Sequence, residues 1–155
     1  MTLAQLQKIF PSATADTWHQ HPNGGGWVEN TATVEASAQF CVDAQVYGNA
    51  RVYGDAQVYG DAQVYGDAWV CGDAQVCGNA WVKIGHDYIT IQNLAEWGSI
   101  TAYRSGKSWQ IAIGCRCFTL TEARKHWRTR KDRPMTRLAV EMLAKVAKAR
   151  KWGGE

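Results

Sequence analysis

The sequence predicts a mainly β protein: a three-sided parallel β-helix followed by a small α+β domain made of a β-meander and two helices. Three observations lead there. From Val46 the chain repeats in sixes, VYGNAR, VYGDAQ, VYGDAQ, VYGDAW, VCGDAQ, VCGNAW, and the same register extends back through Phe40, Val34 and Val28. A fixed period of this length is a solenoid signal and overrides local propensity. After Val82 the period stops, and alternating and then helical spacing takes over.

The repeat explains itself residue by residue. A β-branched residue at every sixth position, Val46 to Val82, suits a short strand with its side chain inward. The small residue four places later (Ala50, Ala56, Ala62, Ala68, Ala74) points inward beside a corner too tight for anything larger. Gly followed by Asp or Asn supplies the turn, because Gly tolerates positive φ and Asn and Asp bond back to nearby backbone. Three hexads then close one coil, and stacked coils sit ~4.8 Å apart.

The outward positions follow from the same register. Tyr47 stacks under Tyr65, Tyr53 lies near Trp69 and Cys71, and Tyr59 lies between Cys41 and Cys77. A prism this short with so many aromatics outside implies a partner or a covering domain.

The hexads from Val28 to Val82 resemble the left-handed parallel β-helix of hexapeptide-repeat proteins. That resemblance implies the left hand of the coil and a homotrimer, with Tyr47, Tyr65, Trp69 and Trp81 as contacts or as a ligand platform. It also brings in acyl-CoA-dependent acyltransferases, whose activity rests on a histidine base and often on a loop inserted between coils. Here the repeats from Val46 to Val82 hold neither. His86, just past the prism and followed by Asp87, is the candidate base for that alternative.

Outside the prism the expected organisation is a helix and linker over 1–26, the β-helix over 27–85 and a basic domain over 86–155. Leu3, Leu6 and Phe10 share a helical face over 2–10, with Thr2 as N-cap and Pro11 as the stop. His19 and His21 read as solvated loop residues, since two histidines without a third ligand are a weak metal signal. Gly24 to Gly26 read as the linker into the prism, because no Lys-Ser/Thr follows to make a phosphate loop. Strands are expected at 88–92, 98–104 and 108–113, with Ser105-Gly106-Lys107 as the hairpin loop between the last two. Thr119 and Glu122 form a capping box for a helix over 120–131. Pro134 opens a second helix to about 151, with Met135, Leu138, Met142 and Val146 on one face.

The tail resembles a small module that follows hexapeptide repeats in bacteriophage and prophage proteins. The resemblance rests on Thr101-Ala102-Tyr103-Arg104, Gly114-Cys115 and Phe118-Thr119-Leu120, with Arg116-Cys117 inserted before Phe118. It implies a phage or prophage origin, and with it interference with bacterial defence.

Charge is uneven. Residues 121–151 carry eleven Lys and Arg against Glu122, Asp132 and Glu141. Such a face either balances the acidic corners of the prism or binds a polyanion. The candidate contacts for an anionic partner are Tyr103, Arg104, Arg116, Arg124 and Arg128, with Trp109, Trp127 and Trp152 available for stacking. Five cysteines, without a nucleophile signature or a zinc-knuckle spacing, read as free thiols. No signal peptide or apolar run of membrane length stands in the sequence, so a bacterial cytoplasm is expected.

The expected function is therefore a non-catalytic homotrimer that captures a host nucleotide signal or blocks a host protein, with nucleic acid as a further possible partner. No cofactor and no metal are expected. The alternatives are an acyltransferase centred on His86 and a purely structural trimerisation protein.

Overall fold

The computed structural model describes residues 1–41, 43–94, 98–105, 108–113 and 116–152. Its first element is helix α1 (Leu3–Ile9), capped by Thr2, whose hydroxyl accepts from the Gln5 N–H while Gln5 bonds back to Thr2. Strand β1 (Trp18–Gln20) runs antiparallel to β2 (Trp27–Glu29). β2 is the first strand of the expected prism, whereas β1 stands where the sequence predicts loop and linker.

The prism continues through β3 (Thr33–Val34), β4 (Gln39–Phe40), β5 (Gln45–Val46), β6 (Arg51–Val52), β7 (Gln57–Val58), β8 (Gln63–Asp67), β9 (Trp69–Val70), β10 (Gln75–Val76) and β11 (Trp81–Ile84). Face one is β2-β5-β8-β11, face two β3-β6-β9 and face three β4-β7-β10, each with parallel pairing. Val28 pairs with Val46, Val46 with Val64 and Val64 with Val82, so one coil takes the predicted three hexads. The solenoid has about three turns. Val46, Val52, Val58, Val64, Val70, Val76 and Val82 are fully buried, as are Ala50, Ala56, Ala62 and Ala74. At the corner, Gly60 takes φ +73°, and a Cβ there would meet Gly78 N at 3.0 Å. Only glycine meets both demands without strain.

Each end of a solenoid leaves strand edges unpaired. Here both ends are covered by the chain itself. At the start, β1 adds an antiparallel strand to face one, and its turn lies against β4. A Cβ on Gly24 (φ +108°) would fall 1.7 Å from Phe40 O, and one on Gly26 would fall 2.8 Å from Phe40 Cβ. The triple glycine is thus a close-packed lid on the first coil, not a linker.

At the other end the tail closes the prism. A short 3-10 turn (Gly85–Asp87) leads to β12 (Tyr88–Leu94), β13 (Gly98–Ser105), β14 (Ser108–Ile113) and β15 (Arg116–Phe118), an antiparallel sheet in sequence order. The hairpin residues Gly106 and Lys107, and Gly114 and Cys115, lie outside the described residues. β15 was not foreseen. β13 runs along the last coil: Ser99 Oγ donates to Asp73 O, Gln75 N donates to Thr101 Oγ1, and Ser105 Oγ donates to Asn79 O. Within the prism, the N–H of Gln57 donates to Ala74 O of the next coil. Thr101 supplies that acceptor to Gln75 where the repeat has run out.

Helices α2 (Leu120–Trp127) and α3 (Pro134–Ala149) pack on the tail sheet and on each other. The predicted Thr119–Glu122 capping box is present. α2 ends at Trp127 rather than 131. The turn from Arg128 to Arg133 precedes Pro134, and proline disfavours helical backbone in the residue before it. In α3 the buried residues are Thr136, Ala139, Val140, Leu143 and Ala147, while Met135, Leu138 and Met142 are half exposed.

Candidate functional site

The prism faces were the first candidate surface. Tyr47 and Tyr65 stack with centroids 5.1 Å apart and planes at 9°, as the register required. Neither is bare. Phe10 and Trp18 close over Tyr47 at 4.9 and 6.1 Å, and its hydroxyl donates to Gln63 Oε1. Burial, then the neighbouring Tyr65 and Glu29, push the Tyr47 phenol up to about 12. Tyr59 packs against the prism core, and Cys77 is fully buried under the tail. Much of the aromatic surface that called for a partner is therefore covered by the chain's own ends. Trp69 and Trp81 stay open, 55% and 51% exposed. Trp69 sits on face two beside Arg51 and, edge-on, Tyr53. Trp81 stands with Tyr65 and Arg104 at a small recess of about 140 Å³.

Arg104 is held there by Asp87, Nη1 to Oδ1 at 3.2 Å. The other carboxylate oxygen of buried Asp87 accepts from the N–H groups of Lys83 and Ile84. Asp87 is thus engaged with the backbone turn and with Arg104, and does not orient His86. The His86 ring is exposed and has no hydrogen-bond partner among the described residues. A general base needs an orienting group and a cleft, and this geometry gives His86 neither.

The two histidines ahead of the prism depart in different degrees from the solvated-loop reading, His19 staying exposed but on a strand. His19 lies on β1 and bonds Asn30 at 2.8 Å. His21 is buried: Nδ1 accepts from Asn23 N, which leaves Nε2–H to donate to Glu35 O at 3.1 Å. Among the described residues no group of His, Cys, Asp and Glu is placed to hold a metal.

Several tail candidates turn inward. Tyr103 is fully buried, with its hydroxyl 2.9 Å from Cys77 Sγ and 3.3 Å from Gln110 Oε1. It seals the prism and offers nothing to a ligand. Trp109, Trp127 and Trp152 belong to the tail core with Ile100, Ile111 and Leu143, so they are not stacking platforms. Cys77 and Cys117 are joined in a disulfide, which corrects the free-thiol reading for that pair; Cys41 and Cys71 are free and exposed. Cys115 lies outside the described residues.

The basic residues that converge do so between α2 and α3. Helical spacing puts Arg124 of α2 and Arg128, the residue that caps its C-terminus in helical backbone, on one side, and Pro134, Arg137, Leu138 and Glu141 on one face of α3. They line a cleft of about 530 Å³ floored by Ala123, Trp127 and Val140. Arg124 spans the helices to Glu141, Nε to Oε1 and Nη2 to Oε2 both at 2.9 Å. Those hydrogen bonds hold the Glu141 carboxyl below its ordinary range. Arg128 and Arg137 have no ion-pair partner among the described residues. Arg116 stands apart on β15, and Arg104 beside Trp81. Arg137 was not singled out from the sequence. The signal available was its place four residues before Glu141 on a helix opened by Pro134.

The arrangement defines a β-solenoid repeat protein with a basic helical cleft. The model of the YdcK beta solenoid repeat matches residues 44–60 and 56–72, a stretch inside the prism. No curated protein and no solved structure matches the chain. Among the described residues no helix is long and apolar enough to cross a membrane.

Proposed function

We propose that the chain is a non-catalytic binding protein in which the prism is a rigid scaffold and the α2–α3 cleft captures an anionic partner. The observation that carries this is Arg128 and Arg137, two exposed guanidinium groups without an acid partner among the described residues, at the rim of a cleft with an apolar floor. Arginine is suited to such capture because its fork donates two parallel hydrogen bonds to a carboxylate or phosphate. The left hand of the coils, a homotrimer, a phage or prophage origin and a role against host defence belong to the same reading. The hexad register and the short tail motifs support them. For self-association, the open aromatic surface is Trp69 with Arg51 on face two and Trp81 on face one.

The test is fluorescence anisotropy with labelled anionic probes (a nucleotide, a single-stranded oligonucleotide, a glutamate-rich peptide) at low and high salt. At least one probe should bind, more weakly as salt rises. The Arg128→Glu/Arg137→Glu variant should weaken that binding by tenfold or more, roughly what losing one or two charge-assisted contacts implies. Equal binding by that variant, or no binding of any anionic probe, overturns the reading.

A further inference from the structure

The chemistry of the α2–α3 cleft narrows its occupant. Resting on the reading above, we propose that the cleft receives an acidic amphipathic helix of another protein, laid along the groove with its apolar side down and its carboxylates on Arg128 and Arg137.

Three features carry this. The floor is apolar and belongs to the tail core: Ala123, Trp127 and Val140 are all buried. A small inorganic anion held between the arginines would leave that floor unfilled. The apolar surface also continues out of the cleft along α3. Leu138 at its edge is 54% exposed and Met142, one turn on, is 50% exposed. A strip of apolar side chains running parallel to a helix axis is what a docked helix uses, through anchors at its own i, i+3, i+4 and i+7 positions. Methionine suits such a surface, because its flexible thioether adapts to the anchor it meets.

Charge selects among the occupants that would fill an apolar groove. A second copy of this chain docking through the same face would bring together two clusters of positive charge, Arg128 and Arg137 from each copy, with Lys145 and Lys148 further along the same helix. Like charges in contact oppose that dimer. Single-stranded nucleic acid would satisfy the arginines, but it stacks its bases on exposed aromatic rings; Trp109 and Trp152 do not line the cleft, and Trp127 on its floor is only 3% exposed, with no open ring face for a base. An acidic helix satisfies both the strip and the charge.

The experiment measures anisotropy of three labelled probes on the full chain. One is a helical peptide with leucines on one face and glutamates elsewhere. The second has the same composition with the leucines spread around the helix. The third is a single-stranded oligonucleotide. The amphipathic peptide should bind at least about tenfold more tightly than the scrambled one, since apolar anchors carry most of the affinity of such contacts. Leu138→Gln/Met142→Gln should abolish that preference, and Arg128→Glu/Arg137→Glu should weaken both peptides. All four positions are surface residues, and circular dichroism checks that each variant folds. Equal binding of the two peptides, or an oligonucleotide that binds more tightly than both, overturns the helix while leaving anionic capture standing. Loss of all anionic binding in the wild type removes both. Self-association that disappears in Leu138→Gln/Met142→Gln assigns the strip to a second copy and overturns the proposal.

Discussion

The prism and the tail solve the same problem with opposite means. In the prism each position has one job repeated coil after coil, and the core is a column of Val and Ala one side chain wide. Each coil is supported only by the coils above and below. The tail has no period. Its core is assembled from four strands and two helices, and large residues such as Trp109, Trp127, Trp152 and Leu143 fill it once each. The difference teaches where a distinctive surface arises. The prism is nearly uniform, so little distinguishes one coil's surface from the next. The tail brings Arg124, Arg128 and Arg137 together at one place, where α2 and α3 meet over an irregular core.

The largest test of this contrast is Val58→Asp. Val58 is fully buried, paired to Phe40 on one side and Val76 on the other. An aspartate there has no acceptor-satisfying neighbour and must stay charged at a cost of several kcal/mol or neutralise. The whole solenoid should lose its cooperative melt, because no other coil can substitute for the middle one. Leu143→Ala in the tail should cost about 2–5 kcal/mol and leave the prism transition in place. Circular dichroism melts decide the matter. A Val58→Asp protein as stable as wild type would mean that the register is wrong.

How far the sequence was legible follows the same division. The hexads give the inward residues, the coil length, the stacking of Tyr47 on Tyr65 and the nearness of Tyr53 to Trp69, because a strict period carries geometry directly. They are silent on what covers the prism. Cys77 occupies an outward position of the repeat, and only the arrival of β13 and β15 makes it buried and bonded to Cys117. Gly24 and Gly26 look like linker because the need for them lies in Phe40, in the coil they cap. In the tail, α-helical spacing was visible but its inward side was not. The run Met135, Leu138, Met142 is as apolar as the buried run Ala139, Val140, Leu143, and only packing on the sheet chooses between them. The cluster of basic charge was readable; that Arg124 is tied to Glu141 while Arg128 and Arg137 are not depends on two helices whose crossing the sequence does not state.

The bridge between the two regions gives the next test. Cys77 in the last coil and Cys117 in β15 are 40 residues apart in sequence. Closing a loop of that size stabilises by about 2–4 kcal/mol, chiefly by restricting the unfolded chain. Reduction, or Cys77→Ser with Cys117→Ser, should lower the unfolding free energy of the tail by that amount, read as a lower urea midpoint at unchanged slope, and barely move the prism. A reduced protein that unfolds at the same midpoint as the oxidised one would show that the contacts of β13 with the last coil already hold the seam.

The smallest expected effect lies in the tyrosines where the ends of the chain meet the prism. Tyr47 sits under Phe10 and Trp18 on face one, and Tyr88 opens the tail with its hydroxyl 4.0 Å from Cys71 Sγ on face two. Burial is the first cause in both, followed by Tyr65 and Glu29 for Tyr47 and by Cys71 for Tyr88, and each phenol is pushed from 10.0 up to about 12. The sign is fixed by linkage. Between pH 10 and 12 the folded chain keeps these protons and the unfolded chain has lost them, so stability is complete below about pH 10 and declines as pH rises toward 12. Both groups are partly open to solvent, so the decline should be shallow. Ultraviolet absorbance of tyrosinate should show a late-ionising fraction in the folded protein that merges with the rest on unfolding. Tyr47→Phe and Tyr88→Phe should each remove part of that fraction and flatten the fall of Tm above pH 10. If every tyrosine of the folded protein ionised together near the ordinary value, the covers over face one and the start of the tail would be open to water. The contrast between a bare repeat and its closed ends would then fail.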